Sequence, residues 1–157
     1  MKMLSTRVAA ILALLLILPA ATYAHCEIPC GIYDDQARFD LLSEHITTIE
    51  KSMKQVTELS AAGDKNYNQL VRWINNKELH ANKFQEIVTQ YFMTQRIKPA
   101  NQADSEAYSK YTKEVTLLHQ MLVEAMKCKQ TTDLSHIENL RQLLAKFHDL
   151  YHTDHGK

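Results

Sequence analysis

Apolar residues recur at alternating steps of three and four along four separate stretches of this 157-residue chain. The first stretch reads Phe39, Leu42, Ile46, Ile49, Met53 and Val56, and the second reads Leu70, Ile74, Ala81, Phe84, Val88 and Tyr91, with Lys77 at the remaining seam position. The third runs Tyr108, Tyr111, Val115, Leu118, Leu122 and Ala125, and the fourth Ile137, Leu140, Leu144, Phe147 and Tyr151. Such steps place residues on one face of a helix, so each stretch predicts an amphipathic helix with a single apolar seam. No comparable stretch alternates with period two, so little or no strand is expected. Gly and Pro number only three each, too few for a loop-rich fold. Four helices joined by short connections have antiparallel neighbours. The predicted fold is therefore all-α, an antiparallel up-down-up-down four-helix bundle over residues 35–157.

The helix ends carry their own signals. Asp34 and Asp35 sit where a helix N-terminus favours negative charge. Ala62-Gly63-Asp64 closes the first helix, with Gly63 the candidate C′ residue. Pro99 stops the second near Lys98, and residues 101–104 read as polar linker. Ser135 followed by Glu138 is a capping-box signature for the last helix.

Composition narrows the function. A formal net charge of +0 argues against a nucleic-acid partner. Three cysteines do not make a disulfide framework. The seams lack the inward Glu and Glu-x-x-His pattern of di-iron bundles, and the chain lacks the Cys-x-x-Cys-His of c-type haem attachment. The chemistry is therefore expected outside the bundle.

Residues 1–24 read as a signal peptide or leader. Lys2 and Arg7 are positive, residues 8–18 are apolar and uncharged, Pro19 breaks the run, and Thr22-Tyr23-Ala24 is a small-x-small cleavage site. The run is short of the about 20 apolar residues of a membrane span, so no stable membrane anchor is expected. Removal by a signal or leader peptidase predicts a periplasmic or secreted protein, a compartment in which thiols tend to oxidise.

Cleavage after Ala24 would leave His25-Cys26-Glu27-Ile28-Pro29-Cys30-Gly31-Ile32-Tyr33-Asp34 as the new N-terminus. Residues 25–34 then form a metal-binding hook. The freed amine of His25, the amide nitrogen of Cys26 and the thiolates of Cys26 and Cys30 offer two nitrogens and two sulfurs, with Pro29 setting the turn between the cysteines. Planar N and S ligation suits Ni(II) or Cu(II), and thiolates select against Mg or Ca. The His25 imidazole remains as an optional fifth ligand. A Cys26–Cys30 disulfide or a zinc site is the alternative use of the same residues.

This segment resembles the nickel superoxide dismutase family, whose mature N-terminus has the form His-Cys-x-x-Pro-Cys-Gly-x-Tyr. Every fixed position is matched by His25, Cys26, Pro29, Cys30, Gly31 and Tyr33. Tyr91-Phe92 with nearby Lys98-Pro99 looks like the family's pattern after its second helix. The resemblance implies one nickel ion per subunit, held by His25, Cys26 and Cys30, with the His25 imidazole axial in the oxidised state. It implies disproportionation of superoxide to dioxygen and hydrogen peroxide by Ni(II)/Ni(III) cycling, and a homohexamer. It places Tyr33 near the open face of the site, restricting access, and makes Ile28–Pro29 a candidate cis bond. Glu27 stands where the family often has Asp. Asp40, Glu44 and His80 are candidates for orienting the imidazole. The family's leader is commonly removed by a dedicated peptidase, which makes a cytoplasmic location the alternative. The competing function is a non-catalytic exported bundle that binds or delivers metal through the same hook.

The remaining residues read as structural. Cys128 is expected as a buried thiol. His148 and His152, four apart, with His155 beyond them, read as a solvated helix end. His45, His119 and His136 read as surface or capping residues. Trp73 and Tyr91 read as packing, with the Tyr91 hydroxyl needing a partner.

Overall fold

The computed structural model describes residues 31–63 and 66–155. Its contacts divide the chain into two units, Met1–Tyr33 and Asp34–Lys157. The second unit contains four helices and, among the described residues, no strand. These are α1 (Asp35–Ala61), α2 (Tyr67–Glu86, continued by a π-helical segment Ile87–Arg96), α3 (Ser105–Gln130) and α4 (Ser135–His155).

Cross-helix hydrogen bonds fix the directions. Along α1 and α2, Asp35 meets Tyr91, His45 meets His80, and Ser52 meets Asn76. Numbers rise on one helix as they fall on the other. The same holds for α2 and α3 (Lys77 with Cys128, Gln85 with Leu122) and for α1 and α4 (Asp35 with Tyr151, Glu50 with Arg141). Each helix packs on its sequence neighbours and α1 closes against α4, as an up-down-up-down bundle requires.

The ends form for the expected reasons, with one exception. The Asp34 carboxylate accepts from the Ala37 amide at 3.0 Å, and Gly63 takes a left-handed φ of +84° just past the α1 C-cap. Asp104 caps α3 through the Ala107 amide at 3.1 Å. Ile97 turns extended, two residues before Pro99. The expected Ser135–Glu138 box is replaced. Glu138 accepts from Gln142 at 2.9 Å, and Asp133, an acceptor closer to the turn, takes the Ser135 amide at 2.9 Å.

The seams of α1 and α4 form the core as read. Phe39, Leu42, Ile46, Ile49 and Met53 are buried, and so are Ile137, Leu140, Leu144, Phe147 and Tyr151. Val56, Leu70 and Ile74 are not. Lys77 already meets the end of α3, so α2 before it has no α3 opposite, and the α1–α2 hairpin extends past the other two helices. On α3 the seam is rotated from the one expected. Leu118, Met121, Ala125 and Cys128 are fully buried, while Tyr111, Val115 and Leu122 lie at the flank.

The π-helical segment changes the phase of α2. Ile97 N–H donates to the Phe92 carbonyl at 2.9 Å, a five-residue step, and Thr94 and Gln95 side chains bond carbonyls five residues back. An extra residue per turn lets two consecutive aromatics, Tyr91 and Phe92, both face inward. Phe92 then stacks with Phe39 and Phe147 at ring-centroid distances of 5.0 and 5.1 Å.

Candidate functional site

The expected metal ligands His25, Cys26 and Cys30 lie outside the described residues, as do Glu27 and the Ile28–Pro29 bond. The structure describes the exit of that segment. Gly31 holds a left-handed φ of +72° directly after Cys30, a backbone turn that residues with a Cβ rarely adopt. Tyr33 is exposed at 41%. Asp34 and Asp35 then open α1, so the segment is covalently joined to the bundle at the first turn of that helix.

That first turn is held by a network from two other helices. The Asp35 carboxylate accepts from Tyr91 Oη at 2.6 Å and Tyr151 Oη at 2.8 Å. Arg96 adds a fork, donating through Nε at 2.8 Å and Nη2 at 2.6 Å, and its Nε also donates to Tyr151 Oη at 2.9 Å. Four donors on one carboxylate, two of them from a guanidinium, make a strong anchor. Burial opposes ionisation of Asp35, but the bonds from Arg96, Tyr91 and Tyr151 outweigh it and hold its pKa below the ordinary carboxylate value. Burial and the Asp35 charge raise both tyrosine pKa values, so the two phenols stay protonated and act as donors toward the carboxylate. Arg38 lies over the Tyr91 ring at 5.1 Å, placing a second cation beside the network.

The three residues offered for orienting the imidazole do not converge. Asp40 is exposed and accepts from Gln36 at 2.8 Å. Glu44 is exposed, its carboxylate acting on His45 and His80 only as a charge. His80 instead pairs with His45, Nδ1 to Nδ1 at 3.0 Å. His45 is thus no surface residue, because α1 turns it onto α2 and leaves it only 7% exposed. His136 bonds Glu124 at 2.8 Å at the opposite end of the bundle.

The last helix also departs from its reading. His148 and His152 stack on each other at 4.4 Å and on Phe39 at 4.8 and 5.5 Å, so they cover the core as aromatic surfaces. The side chain of His155 lies outside the described residues. Cys128 is fully buried as expected, and burial, with the Glu124 charge adding to it, pushes its thiol pKa up to about 12. Trp73 is half-buried with Lys51 Nζ 5.7 Å from its ring centroid. Among the described residues, no group of three or more His, Cys, Asp or Glu could hold a metal ion.

Sequence reasoning missed the Asp35 network because its members are far apart. Asp35 read as a helix-dipole charge, Tyr151 as core, and Arg96 carried no signal at all. The available clue was the need of two buried phenols for polar partners.

Compared with protein-family models, residues 20–155 match the one described as nickel-containing superoxide dismutase. No match was found among curated proteins or among solved structures.

Proposed function

The chain belongs to the nickel-containing superoxide dismutase family, and from that premise we propose that its active centre is made by cleavage after Ala24. The family makes it an oxidoreductase with a nickel cofactor and superoxide as substrate. In this reading residues 1–24 are a removed leader, residues 25–34 the nickel hook, and residues 35–157 the bundle that carries it. The donor set fits the ion. Two thiolates and deprotonated nitrogens supply the charge that makes trivalent nickel reachable, and their softness suits nickel over hard cations.

Each hook residue has a distinct task. Cys26 and Cys30 would hold one ion per subunit by their thiolates. His25 would add its freed amine and Cys26 its amide nitrogen, with the His25 imidazole available as a further ligand. When bound, nickel supplies one-electron cycling between Ni(II) and Ni(III). Tyr33 restricts entry to small anions, in keeping with its place next to the hook and its partial exposure. Gly31 lets the chain turn away from Cys30 without strain. The Asp35 network fixes the point at which the hook is attached.

The exposed hairpin supports self-association, which in this reading is a homohexamer. Tyr67, Val71 and Ile74 share one face of α2 at i, i+4 and i+7 and are 66%, 53% and 38% exposed, an apolar strip that self-association would cover. The leader supports a periplasmic or secreted location after peptidase cleavage. None of the described helices is long and apolar enough to cross a membrane.

The observation that carries this reading is the unbroken signature from His25 to Tyr33 within a family match that begins at residue 20. It is tested on natively processed protein. N-terminal sequencing is expected to begin at His25, and metal analysis to find nickel. His25→Gln is expected to keep the ion and lose dismutation by at least tenfold. Undiminished activity in His25→Gln, or a mature chain starting elsewhere, would overturn the mechanism. Retained nickel with no dismutase activity in the native protein would favour metal delivery.

A further inference from the structure

The bundle brings together two metal-ligating atoms of its own. His45 on α1 and His80 on α2 face each other at mid-helix, with Nδ1 atoms 3.0 Å apart and rings inclined at 70°. Both rings stand on helices already fixed by the core and the neighbouring Ser52–Asn76 bond of 2.9 Å, so the pair is preorganised. Metal–imidazole bonds are about 2.0–2.1 Å, so two nitrogens at the observed spacing subtend an angle of roughly 95° at a shared ion. That is the right angle between neighbouring ligands in square-planar or octahedral shells, and it is narrower than a tetrahedral site needs.

We propose that His45 and His80 form a second transition-metal site on the bundle, separate from the hook, that takes Cu(II) or Ni(II) with water completing the shell. When the ion binds, the donor ring's proton moves by way of water from its Nδ1 to its own Nε2, so that both rings stay neutral and each turns slightly to aim an Nδ1 lone pair at the ion. The charge environment suits this exchange. Burial lowers both histidine pKa values most, followed at His45 by the His80 imidazole and then the Lys83 cation, and at His80 by the Lys83 cation. Glu44 opposes the shift at both. The rings are therefore neutral at physiological pH, the state in which imidazole ligates. Glu44 also adds a nearby negative charge that favours a divalent ion. The site does not depend on the hook reading, since it uses none of the hook's residues.

The test uses the full chain with the hook silenced by His25→Gln, Cys26→Ser and Cys30→Ser. Titration calorimetry with Cu(II) and with Ni(II) is expected to show one ion bound per chain. Adding His80→Gln, a half-buried position, is expected to weaken binding at least tenfold, whereas His148→Gln with His152→Gln leaves it unchanged. Electron paramagnetic resonance of the Cu(II) form gives a readout that needs no bundle variant, with hyperfine structure from two imidazole nitrogens expected. Binding that survives His80→Gln, binding lost with the His148 and His152 changes, or no binding by the silenced chain would each overturn the proposal. None of these outcomes bears on the hook, whose test is the processed N-terminus.

Discussion

The two ends of the bundle each hold a charge, buried at one and half-buried at the other, but they stabilise it in different ways. At the far end, Lys77 is 5% exposed and its Nζ donates to the carbonyls of Cys128 at 2.8 Å, Thr131 at 3.3 Å and Lys129. Those carbonyls are the unsatisfied acceptors at the end of α3, where a cation is favoured. At the near end, Asp35 is held by side chains alone, from the π-helical segment and from α4. Backbone acceptors stay in place whatever side chains surround them, so the Lys77 end is a structural cap. Side-chain donors can be altered one at a time, and theirs is the end at which the proposed hook joins α1. Under the proposed reading, the difference separates a contact that holds the fold from one that also positions chemistry.

The largest effect is expected at the far end. Lys77→Met keeps the stem but strips three carbonyls of their donor, and should cost about 2–4 kcal/mol in chemical denaturation. Nickel content of the folded fraction should not change. If it falls, the far end is coupled to the site and the contrast fails.

Asp35→Asn should cost less stability, about 2 kcal/mol, because the isostere keeps some bonds while losing the charge assistance from Arg96. It should lower nickel retention more than Lys77→Met does, as metal analysis after dialysis would read. Equal nickel loss per unit of stability in the two variants would remove the distinction between the ends. The pH profile sharpens it further. Asp35 has a folded pKa below its unfolded one, so its contribution is present above the ordinary aspartate range and is lost as pH falls through the folded value. Wild-type stability should drop there, and Asp35→Asn should flatten that limb. A profile of unchanged shape would mean that Asp35 is not the titrating anchor.

The smallest effect belongs to Gly63→Ala. A φ of +84° strains any residue with a Cβ, and the expected cost is about 1 kcal/mol with no change in nickel content. Thermal melts would register it as a small shift.

Much of the fold could be read from periodicity because α1 and α4 carry clean seams with polar flanks. Seam reading failed where geometry departs from a regular helix or from a single partner. On α3, which packs on both α2 and α4, the buried line runs through Met121 and Cys128, which pattern rules weigh less than Tyr111 or Leu122. On α2 the π-helical step moved Phe92 inward beside Tyr91, and the adjacent aromatics were the clue. The family was legible because six fixed residues fall within the nine positions from His25 to Tyr33. The Asp35 network and the His45–His80 pair were not, since each joins positions that only the register of the bundle brings together.

Tyr151 closes the Asp35 network from 116 residues downstream. Tyr91 and Arg96 can reach the helix turn that bears Asp35 early, but its last donor arrives only after nearly the whole polypeptide has left the ribosome. A chain cut short before its last turns would keep those earlier bonds and lose this one, so under the proposed nickel reading truncation products should load metal less well than the full chain.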